Sequence, residues 1–543
     1  MVYYKLVFAV IFLPATILFY QLFPKKYRWS MLLLASIAFY STFSVKRIVF
    51  PMAAAGIAWL AGILLEKLGE RQTAAVKAVR TTDPSGNPRE KDEIKKEKGK
   101  IREACQRKTR IVLTAGILAL LSILLFMKYT DFFLENINVI LKETGSGRQF
   151  ALKNFLLPLG ISFYTLQAIG YLADVYWKKV PAQHNPFRLL LFLLFFPTII
   201  EGPITPYAHI RETLFAGETV DPDQVMKGYI RLGWGAMKKL VIADRLFPAV
   251  NVMYDMSGDP HGAQVAAAAI CFTIMEYMDF SGCIDMACGC AQMFGIGLPE
   301  NFRQPFLAKN ASEFWRRWHI SLGVWFKTYI FYPVSMSGLA RKWGKFAKGR
   351  YSAHLTKMVI SAMALLPVWL CNGLWHGPKW TYIFYGVFYF VVIMAELILE
   401  PFGDKLLARM KLTKENRFVS AVRILKTWII IFAGELFFRA DYLKDGFQMF
   451  GAMFRDFSLV RLFTEDLPSW GLDGLDWLIV GVAFAVVILV NLMREKGKDI
   501  LEELLNLPLI LRFALVLTLA LTILIFGLYG PGYEEVDMIY AGF

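Results

Sequence analysis

Twelve apolar runs punctuate the chain, at about residues 6–22, 31–44, 48–65, 111–127, 155–172, 189–200, 263–278, 358–375, 381–399, 424–438, 478–492 and 509–528. A helix crossing the hydrocarbon of a bilayer needs roughly 20 apolar residues. Runs of this length without strict alternation predict helices rather than strands. The expected fold is therefore an all-α polytopic membrane protein, with about 11–13 membrane-embedded helices in one integral membrane domain spanning 1–543. Several runs fall short of a full crossing. The run at 189–200 contains Pro197 and leads into Glu201-Gly202-Pro203, which predicts re-entrant or tilted pieces around a central tunnel, since irregular backbone must be shielded from lipid. The opening stretch from Tyr4 to Leu22 lacks a basic start and a small-residue cleavage site, so it reads as a retained span rather than a signal peptide. No solenoid-period repeat or inverted repeat is visible.

Composition agrees with this pattern. Of 543 residues, 56% are hydrophobic, 15% aromatic and only 19% charged, which excludes an ordinary soluble domain and excludes disorder for most of the chain. The formal net charge of +16 is concentrated in two connections. Residues 67–110 hold 14 Lys/Arg against 7 Asp/Glu, and residues 301–357 hold 11 against 1. Basic residues confined to the connections between apolar runs fit topology and anionic lipid, not nucleic acid. The first segment is read as a cytoplasmic loop. That leaves the N-terminus outside a multi-pass plasma-membrane protein, with Lys46 and Arg47 weakly opposed. The polar, Lys/Glu-rich part of this loop, 81–100, is expected to be flexible or marginally helical. The second basic segment, 301–357, is expected to lie at the membrane interface. The stretch 358–400 supplies two helices.

The interfacial segment contains Glu313-Phe-Trp-Arg-Arg-Trp-His-Ile-Ser-Leu322. Read as one helix capped by Ser312, it places Trp315, Trp318, His319 and Leu322 on one face, with Arg316 and Arg317 turned away. A Trp/Arg helix is an ordinary interfacial anchor, but anchoring does not explain a histidine on the apolar face. Of the six histidines, His184, His261 and His354 fall in polar connections where solvation is the default, and His209 is undecided. His376 ends an apolar run at Trp375-His376-Gly377-Pro378. Gly377 and Pro378 break the helix there, and an ionisable group at such depth is a functional candidate, able to take and return a proton. A buried histidine bonded across helices is the plainer alternative.

Asp279-Phe-Ser281-Gly-Cys-Ile-Asp285 sets two acids and a hydroxyl around a glycine, read as a helix break lining the cavity. Glu435 and Arg439, four apart, read as an internal ion pair. The six cysteines show no paired framework and read mainly as small buried hydrophobes. No histidines or cysteines stand at metal-ligand spacing, so no metal is expected. Phosphate-loop, dinucleotide and Gly-x-Ser-x-Gly signatures are absent in the required contexts.

Tyr277-Met-Asp-Phe-Ser-Gly-Cys-Ile-Asp-Met286, Leu298-Pro-Glu-Asn-Phe-Arg303, Phe314-Trp-Arg-Arg-Trp-His319-Ile-Ser-Leu322 and Gly373-Leu-Trp-His376-Gly-Pro-Lys-Trp380 occur in this order. So do Leu157-Pro-Leu-Gly-Ile-Ser-Phe-Tyr164, Asp174-Val-Tyr176 and Lys238-Lys-Leu-Val-Ile-Ala-Asp-Arg245. In order and spacing they resemble the membrane-bound O-acyltransferases, and within them the bacterial branch acting on alginate and peptidoglycan. The likeness extends over nearly the whole chain. It departs at the end, Ile539-Tyr-Ala-Gly-Phe543, and in the 81–100 loop.

The resemblance implies a catalytic pair, His376 and His319, in a tunnel that donor and acceptor enter from opposite sides of the membrane. On this reading His376 is the general base on the acceptor hydroxyl and His319 orients a substrate. Asn372, Trp375, Trp315, Arg316 and Arg317 would line the tunnel or hold a phosphate-bearing donor, and Asp279, Ser281 and Asp285 would line it deeper. No bound cofactor is implied; the acyl donor would be acetyl-CoA or another acyl thioester. The expected function is transfer of an acetyl or similar short acyl group to an extracytoplasmic glycan, directly or through an SGNH-type partner protein, in contact with membrane lipid. The alternatives are D-alanyl transfer to teichoic acid and a non-catalytic polysaccharide exporter.

Overall fold

The computed structural model describes residues 2–82, 88–255, 261–530, 533 and 536–538. Every one of the twelve apolar runs overlaps a helix, because apolar sequence removed from water can satisfy its backbone only within the segment. Among the described residues seven helices are long and apolar enough to cross a bilayer: Lys46–Lys77, Lys91–Glu143, Gly262–Gln292, Ala353–His376, Trp380–Arg409, Gly474–Glu495 and Leu509–Phe526. The remaining runs form shorter helices, such as Phe8–Leu22 and Arg28–Ser41.

Two compact units divide the chain: one mainly Pro14–Ile200 with Ile204–Thr219, the other Val2–Leu13, Glu201–Pro203 and Val220–Phe543. In the first, Ile161–Tyr176 is buried along nearly its whole length and packs on Lys46–Lys77, where Gly62 makes room for the Tyr171 ring. Helix Pro186–Leu194 has nine residues, about 14 Å at the α-helical rise and too short to span. Buried irregular backbone follows it from Phe195 to Ile200. There the Phe196 amide donates to Ser36 Oγ at 3.1 Å, so the irregular backbone of 189–200 is shielded inside the protein.

The 81–100 segment departs from its expectation. Residues 83–87 lie outside the described residues, but from Lys91 onward the chain is one 53-residue helix reaching Glu143. Lys and Glu are good helix formers, Asp92 and Glu93 lie in its first turn where the helix dipole favours acids, and Arg89 pairs with Glu97 at 2.9 Å. At about 1.5 Å per residue this helix is about 80 Å long, so much of it projects beyond a bilayer.

The second unit is built on Gly262–Gln292, which runs unbroken through the expected break at Gly282. Gly282 is a packing position instead: a Cβ there would sit 2.7 Å from the Gly235 carbonyl oxygen, and one at Gly289 would sit 2.6 Å from that of Gly228. These small residues let the backbones of Gly262–Gln292 and Pro222–Met237 touch, the usual way helices associate in lipid. A π-helical turn, Lys238–Ala243, then directs two consecutive lysines into the interior.

Candidate active site

The segment bearing His319 is two short helices rather than one. Ala311–Arg317 is capped by Asn310, whose side chain accepts from the Glu313 amide, so Ser312 is not the cap. Trp318 is extended, His319 adopts a left-handed conformation at φ 44° and ψ 51°, and Ile320–Phe326 begins a new helix. A left-handed non-glycine residue costs of order 1–3 kcal/mol and persists only where its surroundings impose it. Here Asn301 imposes it. Its backbone carbonyl accepts from the Ile320 amide at 3.0 Å, and its Oδ1 accepts from the Ser321 amide at 2.9 Å. The break turns His319 inward, to 2% exposure, rather than along an interfacial face.

Asn301 also decides the tautomer. An atom that accepts from a backbone N–H must be the amide oxygen, so His319 Nδ1, 3.3 Å from that same Oδ1, carries the proton and Nε2 is the acceptor nitrogen. His319 lies outside the seven spans, and burial lowers its imidazole from its ordinary value to about 3, leaving it neutral at physiological pH. The sequence reading missed Asn301; the only signal was a polar side chain in the aromatic-rich Leu298–Phe306 stretch.

His376 is the last residue of Ala353–His376, followed by the expected break at Gly377. It is 3% exposed and packs among rings, with centroids 4.9 Å from Phe438, 6.0 Å from Tyr385 and 6.1 Å from Tyr382. Tyr385 donates to Glu435 at 3.0 Å, and Arg439 donates to Asn251 at 2.8 Å. Glu435 and Arg439 thus hold separate partners, against the expected ion pair. Trp375 bridges the two histidines, its ring 5.3 Å from that of His319 and 5.0 Å from that of His376.

A cavity of about 520 Å³ opens beside this pair, walled by Trp315, Arg316, His319, Lys327, Trp369 and Asn372 among others. His376 and Trp375 are not among its walls; Asn372, one helical turn before His376, is. The Asn372 amide oxygen is buried without a protein partner among the described residues, so it can accept a hydrogen bond from a group in the cavity. Arg316 is exposed at the cavity wall.

Arg317 is not a tunnel residue: it donates to Glu495 at 3.0 and 3.1 Å and to Glu313 at 3.1 Å. Asp279, Ser281 and Asp285 likewise belong to packing. Lys239 pairs with Asp279 at 2.6 Å and Asp244 at 2.8 Å. Lys238 pairs with Asp285 at 2.6 Å and donates to Ser281 at 3.0 Å, and Arg231 adds a bond to Asp285 at 3.0 Å. Between the two acids Phe280 sets its ring edge-to-face on His319 at 4.8 Å, so this network abuts the site without lining the cavity.

The remaining histidines separate as well. His184 meets Glu66 at 2.8 Å, and His209 and His354 are exposed. His261, expected to be solvated, is buried against Asp466 at 2.5 Å. Cys283, Cys288 and Cys290 are buried, as small apolar fillers should be, whereas Cys105 lies in the long helix rather than in a loop. Among the described residues no three His, Cys, Asp or Glu gather as metal ligands.

A model of MBOAT, the membrane-bound O-acyltransferase family, matches residues 178–347, a stretch that takes in His319 and stops short of His376. The probable alginate O-acetylase AlgI of Pseudomonas aeruginosa is 31% identical over 454 residues, covering 84% of this chain and 75% of its own length. The chain belongs to the membrane-bound O-acyltransferase family. The peptidoglycan O-acetyltransferase of Helicobacter pylori is 32% identical over 52% of this chain and 55% of its own. The teichoic acid D-alanyltransferase of Bacillus subtilis is 28% identical over 52% and 68%. This family member is thus a multi-pass membrane protein and an O-acyltransferase, which sets aside the exporter reading.

Proposed function

We propose that this acyltransferase moves an acetyl group from a cytoplasmic acyl thioester, acetyl-CoA in the simplest case, to hydroxyls of an extracytoplasmic glycan. It does so across the plasma membrane, with its N-terminus outside, either directly or through an SGNH-type partner protein. The observation that carries the reading is the joining of His319 to His376 through Trp375, beside a cavity that also holds the unsatisfied Asn372 amide oxygen. Relatives that O-acetylate alginate or peptidoglycan favour acetyl and a glycan. In the reaction His376 takes the proton of the acceptor hydroxyl as its oxygen attacks the thioester carbonyl. The carbon–sulfur bond breaks, and the imidazolium returns the proton to the departing thiolate. His319, held with Nε2 as its acceptor nitrogen, orients a substrate beside the cavity, and Trp375 packs on both imidazoles.

The direct test compares surface polysaccharide from cells with and without the gene by mass spectrometry. Acetyl esters that vanish with the gene support the proposal; unchanged acetylation sinks it. The teichoic acid relative favours one second reading, D-alanyl transfer, which the same spectra would reveal as alanine esters.

Two smaller effects follow from the site. Arg316 and Lys327 are the charged residues among the cavity walls and no acid joins them, so an anionic donor is attracted. Arg316→Gln is expected to raise the donor KM by about fivefold, the effect shrinking as salt screens the charge; a KM indifferent to both salt and substitution would assign Arg316 to lipid contact. Asn301→Ala removes the group that sets the His319 tautomer and turn. Losing such a buried bond costs about 1–3 kcal/mol, so a drop in kcat of roughly tenfold is expected, measured in vesicles at saturating donor.

A further inference from the structure

The most apolar of the seven spans, Leu509–Phe526, has no buried residue. It approaches Pro222–Met237, where a Cβ on Gly233 would meet Leu519 Cδ2 at 3.4 Å. Between this helix and Gly474–Glu495 lies a slot of about 670 Å³ floored by Trp234, Met237 and Val241. Its wall on Gly474–Glu495 runs from Leu475 to Arg494, about 28 Å at the helical rise and close to the depth of a bilayer's hydrocarbon. The hydroxyls of Thr518 and Thr522 on the opposite wall donate to carbonyls of their own helix, each at 2.8 Å, so the walls present almost nothing polar along their length. Near the Leu475 and Phe526 end of the slot, Arg245 bonds Asp476 and, at 2.6 Å, the Phe526 carbonyl.

The other end carries charge. Arg231 bonds Asp285 at 3.0 Å and Glu300 at 2.7 Å, and Lys238 bonds the same Asp285 at 2.6 Å. Arg494, in the last turn of its helix, lies within electrostatic reach of Asp285. Among the described residues no hydrogen bond or ion pair engages the Arg494 side chain itself, and it stands where a 670 Å³ apolar slot reaches the end of a span. An uncompensated cation bordering hydrocarbon is unfavourable; a phosphodiester attached to acyl chains complements both the charge and the walls. The volume falls in the range of single-ligand pockets, about 300–1,000 Å³.

We propose that the slot between Gly474–Glu495 and Leu509–Phe526 binds one anionic phospholipid, its phosphodiester on Arg494 and its acyl chains along the slot. The site stands apart from the histidine pair and is independent of which acyl group or acceptor the enzyme uses.

The test titrates delipidated full-length protein in neutral detergent with phosphatidylglycerol or phosphatidylcholine, read by native mass spectrometry and by the thermal unfolding midpoint. Phosphatidylglycerol is expected to bind about fivefold more tightly, with the preference weakening as salt rises. Arg494→Gln should erase the preference and Arg494→Lys should keep it. Val482→Trp, on the slot wall, should weaken both lipids and serves if the arginine variant does not accumulate. Equal binding of the two lipids, a preference that survives Arg494→Gln, or undiminished binding in Val482→Trp would overturn the proposal. So would equal stabilisation by glycerol phosphate alone, which would make the ligand a free phosphate.

Discussion

Replacing His376 with glutamine is expected to cut acyl transfer by a factor on the order of a thousand while leaving the protein at its normal level in the membrane. Positioned proton transfer contributes roughly 100- to 10,000-fold to a rate, and glutamine keeps much of the volume and hydrogen-bonding capacity of imidazole without its ability to shuttle a proton near neutral pH. Alanine is the poorer choice. His376 is enclosed by Trp375, Tyr382, Tyr385 and Phe438, and truncation there would open a cavity that costs stability on its own account. The measurement pairs ester content of the acceptor with membrane abundance and unfolding midpoint. A His376→Gln protein that still transfers acyl groups at more than a tenth of the parent rate would remove His376 from the chemistry. A His319→Gln companion separates the roles: if His319 orients rather than shuttles, its loss appears largely in KM.

The second large effect is on folding. Lys239 is 1% exposed and is the shared partner of Asp244 and Asp279. Lys239→Met would remove the cation that two buried carboxylates share, and breaking a buried pair from one side typically costs about 3–5 kcal/mol. Most of a membrane domain's margin would be consumed, so the variant is expected to accumulate poorly and to unfold at markedly lower temperature. Adding Asp244→Asn and Asp279→Asn should recover most of the loss, because removing all the charges together leaves no stranded ion. Activity per folded molecule should fall less than tenfold. A Lys239→Met protein of parental stability but abolished turnover would instead place this lysine in the reaction.

The paired effects show how far the acid-rich motif at 279–285 could be read in one dimension. Two carboxylates and a serine around a glycine look like a polar break in a helix, and nothing local says otherwise. Their cations, Lys238 and Lys239, lie some forty residues earlier in the chain, and only the packing of Pro222–Met237 on Gly262–Gln292 brings the groups together. Arg317 is engaged in part by Glu495, equally remote in sequence, and in part by Glu313 one helical turn before it. The continuous helix drawn through 313–322 failed differently. Periodicity favoured one helix with His319 on its apolar face, but the side chain of Asn301 captures the Ser321 amide and holds His319 left-handed. A distant hydrogen bond outweighed local propensity.

From the residues alone came the membrane class, the helical character of all twelve apolar runs, the break after His376 and His376 as a candidate, because hydrophobic length, helix-breaking residues and the rarity of ionisable groups in apolar surroundings are local properties of the chain. Its pairing with His319 came from the resemblance to the family and not from any local property. The tertiary structure alone decided that Trp375 joins the two histidines, that Asn301 sets the His319 tautomer, and that Asp279 and Asp285 are held by buried lysines while Arg316 stays at the cavity. Those outcomes depend on which charge meets which across the packed helices. A buried ion or hydrogen-bonding group must find a partner wherever the fold supplies one, and its position in the chain does not name that partner.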